Sequence, residues 1–273
     1  MSKRSVVAFF AAAMFIISLW GCGSPASGSS SSSKSTSSQA ASVETSSQAG
    51  SSSTESTGGI VMTDNIKVFG QNSILITAGN KKIYIDPFQM KETPKDADYI
   101  LITHEHSDHY SPEDMKKVAG TNTLLVMPES MKSKEKEASG IVSRIEYVKP
   151  SENRTIEGLQ LETVPAYNIN KQFHPKSNGW VGYVLTVDGK RIYIAGDMDA
   201  TDEAKAVKCD IALVPVGGTY TMTAAEAAEL INVMKPQIAI PVHYGSVVGS
   251  SADADTFAKT VKEPVKTEIK IGR

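Results

Sequence analysis

Residues 103–109 read Thr-His-Glu-His-Ser-Asp-His, and the interpretation of the whole chain starts from this stretch. Its first residue, Thr103, ends the run Tyr99–Thr103, whose β-branched and aromatic residues predict a buried strand. The segment Ser111–Asp114 follows, with the capping hydroxyl, proline and acidic residues that begin a helix. The histidines are therefore expected in a loop between a strand end and a helix start.

This loop has the composition of a metal site. Three of the chain's five histidines lie in it, at His104, His106 and His109. Imidazole nitrogens bind Zn²⁺ well, and residues at i and i+2 of an extended segment project to one side. Asp108 adds a hard oxygen ligand beside His109. A histidine-rich surface loop without metal is the alternative, but its position after a buried strand favours a site for two ions.

Short apolar segments and helix signals alternate along the chain. The predicted strands are Ile66–Phe69, Ser73–Thr77, Lys82–Ile85, Tyr99–Thr103, Leu124–Met127, Ile145–Val148, Thr155–Ile156, Leu159–Val164, Trp180–Val187, Arg191–Ala195, Ile211–Val216, Ile238–Val242 and Val265–Ile271. The predicted helices are Pro112–Gly120, Glu129–Glu137, Thr223–Lys235 and Ser251–Lys262. Many strands between several helices indicate a layered α/β protein with its sheets inside.

The loop resembles the His-x-His-x-Asp-His signature of the metallo-β-lactamase superfamily. Two further positions resemble that family in the same order. They are Gly196-Asp197, after the strand Arg191–Ala195, and His243, after the strand Ile238–Val242. The resemblance covers residues 60–273. It implies an α/β fold of four αββα layers, the metallo-β-lactamase sandwich.

One position departs from the commonest family pattern. Many members carry Gly-His-Thr-x-Gly before the Gly-Asp, whereas this chain has Asn168 after a strand and His174 in the next loop. The surroundings resemble a branch that includes N-acylphosphatidylethanolamine-hydrolysing phospholipase D and the ascorbate-phosphate lactonases. We favour His174 as the third imidazole because imidazole binds Zn²⁺ better than a neutral amide, with Asn168 as the alternative.

The resemblance also implies a role for each candidate. One metal would be held by His104, His106 and His174, the second by Asp108, His109 and His243, and Asp197 would bridge them. Zn²⁺ is the expected metal, and the carboxylates also suit Mn²⁺ or Fe²⁺. Two cations lower the pKa of a shared water, so that hydroxide forms near neutral pH. Asp108 would orient the hydroxide and carry its proton as the catalytic residue.

Two candidates lie outside this ligand set. Asp86 ends the strand Lys82–Ile85 and is a candidate for orienting a ligand imidazole. Tyr220 follows Gly217-Gly218-Thr219, and its hydroxyl or the backbone amides are candidates for stabilising an oxyanion. A plain turn or cap is the alternative for both. Trp180 and Tyr244 are expected to be packing residues.

The first 59 residues carry export signals. Residues 1–21 combine Lys3 and Arg4 with about 15 mostly apolar residues, which predicts a signal peptide; a short membrane anchor is the alternative. Leu19-Trp20-Gly21-Cys22 resembles a bacterial lipobox, although Trp20 is bulkier than usual, and Cys22 would carry the lipid, including palmitate. Residues 22–59 are rich in serine and predict a flexible tether to the hydrolase domain at 60–273.

These features together predict a function. The chain would be a lipid-anchored metallohydrolase on the extracytoplasmic face of the cell membrane, acting on a small ester, lactone, amide or phosphodiester. A formal net charge of −2 argues against nucleic acid as a partner. The absence of Gly-His-Thr-x-Gly argues against an antibiotic-destroying β-lactamase. A metal-loaded binding or sensor lipoprotein without catalysis is the alternative, since ligands alone do not prove turnover.

Overall fold

The computed structural model describes residues 63–271. The predicted signal peptide, lipidation site and tether lie outside the described residues. Within 63–271, no helix has the length and apolar character needed to cross a bilayer.

The first half of the described chain forms a six-stranded sheet in chain order. Its strands are β1 (Ile66–Gly70), β2 (Ser73–Ala78), β3 (Lys81–Ile85), β4 (Ala97–Leu101), β5 (Ala119–Pro128) and β6 (Arg144–Val148). The pairs β1–β2 and β2–β3 are antiparallel, and β3, β4, β5 and β6 are parallel neighbours. The sheet therefore changes from hairpins to parallel strands at β3, immediately before the strand that carries the histidine loop.

The second half forms a seven-stranded sheet that also changes from antiparallel to parallel pairing. Its strands are β7 (Asn153–Ile156), β8 (Leu159–Pro165), β9 (Val181–Val187), β10 (Lys190–Ile194), β11 (Ile211–Pro215), β12 (Ile238–Val242) and β13 (Lys266–Thr267). Neighbours from β7 to β10 are antiparallel, and neighbours from β10 to β13 are parallel. Asp188 and Gly189 join β9 to β10 with positive φ angles of 49° and 73°, as expected for an Asp-Gly hairpin turn.

Helices cover the outer face of each sheet. The first sheet is covered by α1 (Pro112–Val118) and by a 3₁₀ turn, Glu129–Lys134, that continues into α2 (Glu135–Ala138). The second is covered by α3 (Asp202–Ala206), α4 (Ala224–Met234) and α5 (Ser251–Thr260). Thr223 begins α4 with the predicted capping box to Glu226.

The alternation of side chains along the central strands produces the layers. In β4, Tyr99 and Leu101 point into the core between the sheets, whereas Ile100 packs on the helix side. In β11, Leu213 faces the core between the sheets and Val214 faces the helices. Because successive residues of a strand face opposite sides, each central strand presents apolar side chains both to the core between the sheets and to the helices. The predicted four-layer αββα sandwich is confirmed.

Three predicted elements end elsewhere in the structure. Helix α1 stops at Val118 because Ala119 already pairs with Ala97 in the first sheet, where Gly120 passes close to the Lys95 carbonyl. The predicted helix 129–137 is mostly a 3₁₀ turn. The predicted strand 265–271 pairs only at Lys266–Thr267. Beyond it, the Lys270 side-chain ammonium donates to the Thr63 carbonyl at 3.1 Å.

Substitution of Gly182 in β9 tests how closely this strand packs against the end of β10. A Cβ at this position would lie 2.7 Å from the Ile194 carbonyl oxygen and 2.6 Å from that of Ala195. Both are backbone atoms that cannot move aside, so Gly182→Ala should lower the free energy of unfolding by about 1–3 kcal/mol. Urea denaturation followed by circular dichroism measures this.

Gly140→Ala is the matched control. Its Cβ would meet only the Glu137 carbonyl oxygen at 3.3 Å in an exposed turn. A change below about 1 kcal/mol is expected there. Equal stability of the two variants would contradict the tight approach of β9 to the end of β10.

Candidate metal centre

The candidate centre lies where strands of both sheets end. The histidine loop follows β4, Asp197 follows β10 and His243 follows β12. His174 lies in the segment between β8 and β9. Carboxyl ends of parallel neighbours share one edge of a sheet, and ligands bind at such edges in α/β proteins. The topology thus brings together residues that are up to 139 positions apart along the chain.

The structure brings the seven predicted ligands into two sets. His104, His106, His174 and Asp197 form the first set, and Asp108, His109 and His243 form the second. Within each set, one nitrogen or carboxylate oxygen per residue lies within 4.8 Å of the others. All five histidines of the chain therefore lie in these two sets.

Asp197 faces both sets with different oxygens. Its Oδ2 lies 3.2 Å from His174 Nε2 and 3.9 Å from His104 Nε2. Its Oδ1 lies 3.1 Å from His243 Nε2 and 3.3 Å from His109 Nε2. The side chain is 4% exposed. This division of one carboxylate between two imidazole groups is the geometry of a bridging ligand.

The polar atoms at the centre also fit a cation. His109 Nε2, His174 Nε2 and Asp197 Oδ1 are buried and have no hydrogen-bond partner. A buried polar atom without a partner costs free energy, so such atoms need a function. All three atoms belong to residues of the two sets, and nitrogen with carboxylate oxygen is a donor set that divalent metals accept.

The electrostatics keep the carboxylates ionised. Burial raises the pKa of Asp108, but the hydrogen bond to His243 and the charge of His109 outweigh it, bringing the pKa to about 2. Burial likewise raises the pKa of Asp197, and His243 and His109 hold it well below its ordinary value. Burial, reinforced by the charge of His109, lowers the pKa of His104. Burial lowers the pKa of His243, but the charge of Asp197 and the hydrogen bond to Asp108 outweigh it and raise the pKa to about 9. Metal binds ionised carboxylate and neutral imidazole, so an ion entering the second set would displace a proton from His243.

Asp86 supports the second set from behind. Its Oδ2 lies 2.7 Å from His109 Nδ1 and accepts from Thr103 Oγ1 and Asn72 Nδ2, both at 2.7 Å. Its Oδ1 accepts from the Thr103 amide at 2.8 Å. Every group around this buried carboxylate is a donor, so it holds the His109 ring with Nε2 toward Asp108 and Asp197. The structure thus places Asp86 where an orienting carboxylate would lie.

His174 and Asn168 have different positions in the structure. His174 belongs to the first set, with Nε2 toward Asp197. The Asn168 side-chain amide donates to the carbonyls of Phe173 at 3.0 Å and Tyr220 at 2.7 Å, and its backbone amide donates to the His174 carbonyl at 2.8 Å. Asn168 therefore closes the loop that presents His174.

Tyr220 makes its described contacts with that same loop. Its carbonyl accepts from Asn168, and its ring packs edge-on against Phe173 with the centroids 4.8 Å apart. The neighbouring Gly218 amide donates to the Met222 carbonyl at 3.0 Å, so it is used within the turn. These contacts give Tyr220 a structural role in supporting the loop.

Two residues at the centre were missed or undervalued from sequence. Gln71 is fully buried between β1 and β2. Its side-chain amide nitrogen lies 3.1 Å from Asp108 Oδ2, and its backbone carbonyl accepts from the His243 backbone amide at 2.8 Å. Trp180 packs against three imidazoles of the first set, at centroid distances of 4.8–5.4 Å. Gln71 directly follows a strand, as Asp86 does. A polar residue at a strand end was therefore the sequence signal that could have identified Gln71 as part of the centre.

Comparison with known proteins agrees with this geometry. The family model of the beta-lactamase superfamily domain matches residues 65–243. A UPF0173 metal-dependent hydrolase of Pyrococcus abyssi is 30% identical over 218 residues, covering 75% of this chain and 95% of the relative.

Two solved structures are also similar. A protein from Parabacteroides distasonis described as a metal-dependent hydrolase is 31% identical, with a TM-score of 0.63 covering 75% of this chain and 91% of that one. A metallo hydrolase from Ignicoccus hospitalis is 22% identical, with a TM-score of 0.60 over 75% of this chain and 93% of that one. At 22% identity, the similarity to the Ignicoccus hospitalis protein shows a shared fold alone.

Asp86 provides a test of how the second set is oriented. In Asp86→Asn, an amide group would face four donors, and His109 would lose its fixed orientation. We expect metal affinity to fall by about 10–100-fold, as for other residues that orient a ligand imidazole. Competition with a chromogenic chelator measures this affinity.

The matched control is Asp114→Asn. Asp114 is also a buried carboxylate that accepts backbone amides, from Gln89 at 2.8 Å and Met90 at 3.0 Å, but it touches neither set. This variant should lose stability and keep its metal affinity. An equal loss of affinity in both variants would show that Asp86 acts only through general stability.

Proposed function

Because the chain belongs to the metallo-β-lactamase superfamily and is a metal-dependent hydrolase, we propose that it uses two metal ions and acts outside the cytoplasm from a lipid anchor at Cys22. The divided carboxylate of Asp197 is the observation that carries the binuclear part of the proposal. His104, His106 and His174 would hold one ion, Asp108, His109 and His243 the other, and Asp197 both.

The two ions would supply Lewis-acid chemistry. When bound, divalent cations acidify water and polarise a scissile carbonyl or phosphoryl group. Zn²⁺ is the proposed metal because five imidazoles contribute to the centre, and Mn²⁺ or Fe²⁺ would also be accepted by the carboxylates.

The chain's own residues would position the reaction and move its proton. All five histidines belong to the two sets, so no histidine remains to act as a free base. Asp108 has a side chain 15% exposed, compared with 4% for Asp197, so it is the carboxylate of the centre that reaches solvent. We therefore assign to Asp108 the transfer of a proton to the leaving group. Trp180 excludes water from the imidazole side.

The proposed substrate is a small ester, lactone, amide or phosphodiester. The mildly acidic composition supports a small molecule over a nucleic acid, since nucleic-acid binding relies on a basic surface.

Isosteric substitution of two carboxylates in one loop tests the proposed enzyme. Asp108→Asn should lower kcat for p-nitrophenyl ester or bis(p-nitrophenyl) phosphate hydrolysis by about 10²–10⁴-fold, because the proton-transfer group and one ligand of the second set are lost together. Glu105→Gln is the control, since Glu105 is exposed and lies outside both sets. It should keep its activity and its metal content, measured by mass spectrometry. Unchanged hydrolysis in Asp108→Asn would refute the assigned role.

The two cysteines provide a test of the lipid anchor. In the full chain, Cys22→Ser should abolish palmitate labelling and move the protein from the membrane fraction to the soluble fraction, because acyl chains hold it at the bilayer. Cys209→Ser, which changes the cysteine between α3 and β11, should remain labelled and in the membrane fraction. Membrane retention of Cys22→Ser at the level of the unsubstituted protein would contradict lipid anchoring.

A further inference from the structure

Exposed apolar side chains cluster beside the metal centre. Among residues 63–271, four large apolar side chains are strongly exposed: Ile169 at 55%, Phe173 at 45%, Val247 at 52% and Val233 at 57%. Val233 lies on α4, on the outside of the second sheet. The other three lie on the two loops that contain or follow His174 and His243. Large apolar groups in water are costly, and their concentration around one site indicates a ligand.

The first loop holds its apolar residues in a fixed arrangement. Phe173 precedes His174, and its ring packs against Tyr220. The Asn168 side chain donates to the carbonyls of both Phe173 and Tyr220. The Ile169 amide donates to Asp199 Oδ2 at 2.9 Å, two residues beyond Asp197. These bonds tie the loop to the centre, so its exposed side chains are presented in defined positions.

Val247 lies on the opposite side of the centre. Its amide donates to Gln71 Oε1 at 3.4 Å, and the Gln71 amide nitrogen lies 3.1 Å from Asp108 Oδ2. Val247 is thus linked through one side chain to the second set, as Phe173 is linked to the first. His106 and Asp108, one from each set, are the partly exposed residues of the centre.

The lysines of this region are already paired. Lys171, in the first loop, forms an ion pair with Asp199. Lys176, which follows His174, pairs with Glu203 at 2.7 Å. In the two loops at 168–176 and 244–249, the structure therefore shows no unpaired lysine or arginine for a substrate anion. These two loops therefore offer an anionic substrate no free counter-charge.

We propose that Ile169, Phe173 and Val247 form an apolar mouth that binds the alkyl or acyl chain of an uncharged ester, lactone or amide. This inference rests on the proposed hydrolase function and selects one part of its substrate range. Hydrolysis adds water across the scissile bond, with the hydroxyl joining the acyl carbon and the proton joining the leaving oxygen or nitrogen. The apolar chain would lie across the mouth while the scissile carbonyl faces Asp108 and Asp197.

Binding of alkyl hydroxamates tests the mouth without requiring turnover. The probes are acetohydroxamate to hexanohydroxamate, added to the zinc-loaded full chain at one detergent concentration, so that partition into micelles cancels between variants. A half-buried methylene should raise affinity about twofold. Phe173→Ser and Val247→Ser should flatten this dependence. Val233→Ser, an equally exposed position on α4, should keep the slope of the unsubstituted protein.

The possible results separate the mouth from the enzyme. A flat chain-length dependence in the unsubstituted protein, or identical slopes in Val247→Ser and Val233→Ser, would overturn the mouth. Faster hydrolysis of bis(p-nitrophenyl) phosphate than of p-nitrophenyl butyrate would overturn the uncharged substrate class. Chain-length-dependent binding without hydrolysis of either compound would support the mouth and refute the proposed substrate range.

Discussion

The buried carboxylate of Asp197 is the constraint on which the site depends. Moving a charge from water into a protein interior is costly unless opposite charge or hydrogen bonding compensates for it. Asp197 is 4% exposed and its Oδ1 has no hydrogen-bond partner, yet its pKa is held well below its ordinary value by His243 and His109 despite burial. Such a group is stable only where imidazoles and cations converge on it. The need for that convergence explains why the ligands come from so many strands.

The meeting of the two sheets makes this convergence rigid. Gly196, with φ of 68°, has no Cβ to clash with Thr103, where one would lie 3.2 Å away. The Val181 amide donates to the Thr103 carbonyl at 3.2 Å, and the Tyr183 hydroxyl donates to the Ile102 carbonyl at 2.7 Å. These bonds join the second sheet to the end of β4. The histidine loop and Asp197 are thus held by the same framework, which is how a site keeps its ligands preorganised.

The rest of the site is organised outward from the carboxylate. Asp86 fixes His109, Asn168 fixes the loop of His174, and Gln71 lies between Asp108 and His243. Only at His106 and Asp108 does the centre reach the surface, and the loops that carry or follow His174 and His243 hold exposed apolar side chains. The chemistry of the centre and the character of its opening therefore belong to the same set of strand-end loops.

The sequence by itself determined the chemistry and the layers. A histidine cluster after a strand, Gly-Asp after a hairpin and a late histidine identified six candidate ligands through the family resemblance, and ligand chemistry favoured His174 as the seventh. Strand and helix signals predicted a layered α/β protein, because alternation and capping are local properties, and the family resemblance implied the four-layer sandwich. The end of α1 and the 3₁₀ turn at 129–134 were not predicted, since strand pairing and packing decide them.

Only the tertiary structure decided which contacts hold the candidate ligands in place. The preference for His174 over Asn168 was a chemical argument until the fold placed one ring nitrogen toward Asp197 and used the amide to close the loop. The division of the Asp197 oxygens and the contacts of Gln71 and Trp180 arise between residues distant in sequence. Local patterns carry no information about such pairs, because the folding of both sheets creates them.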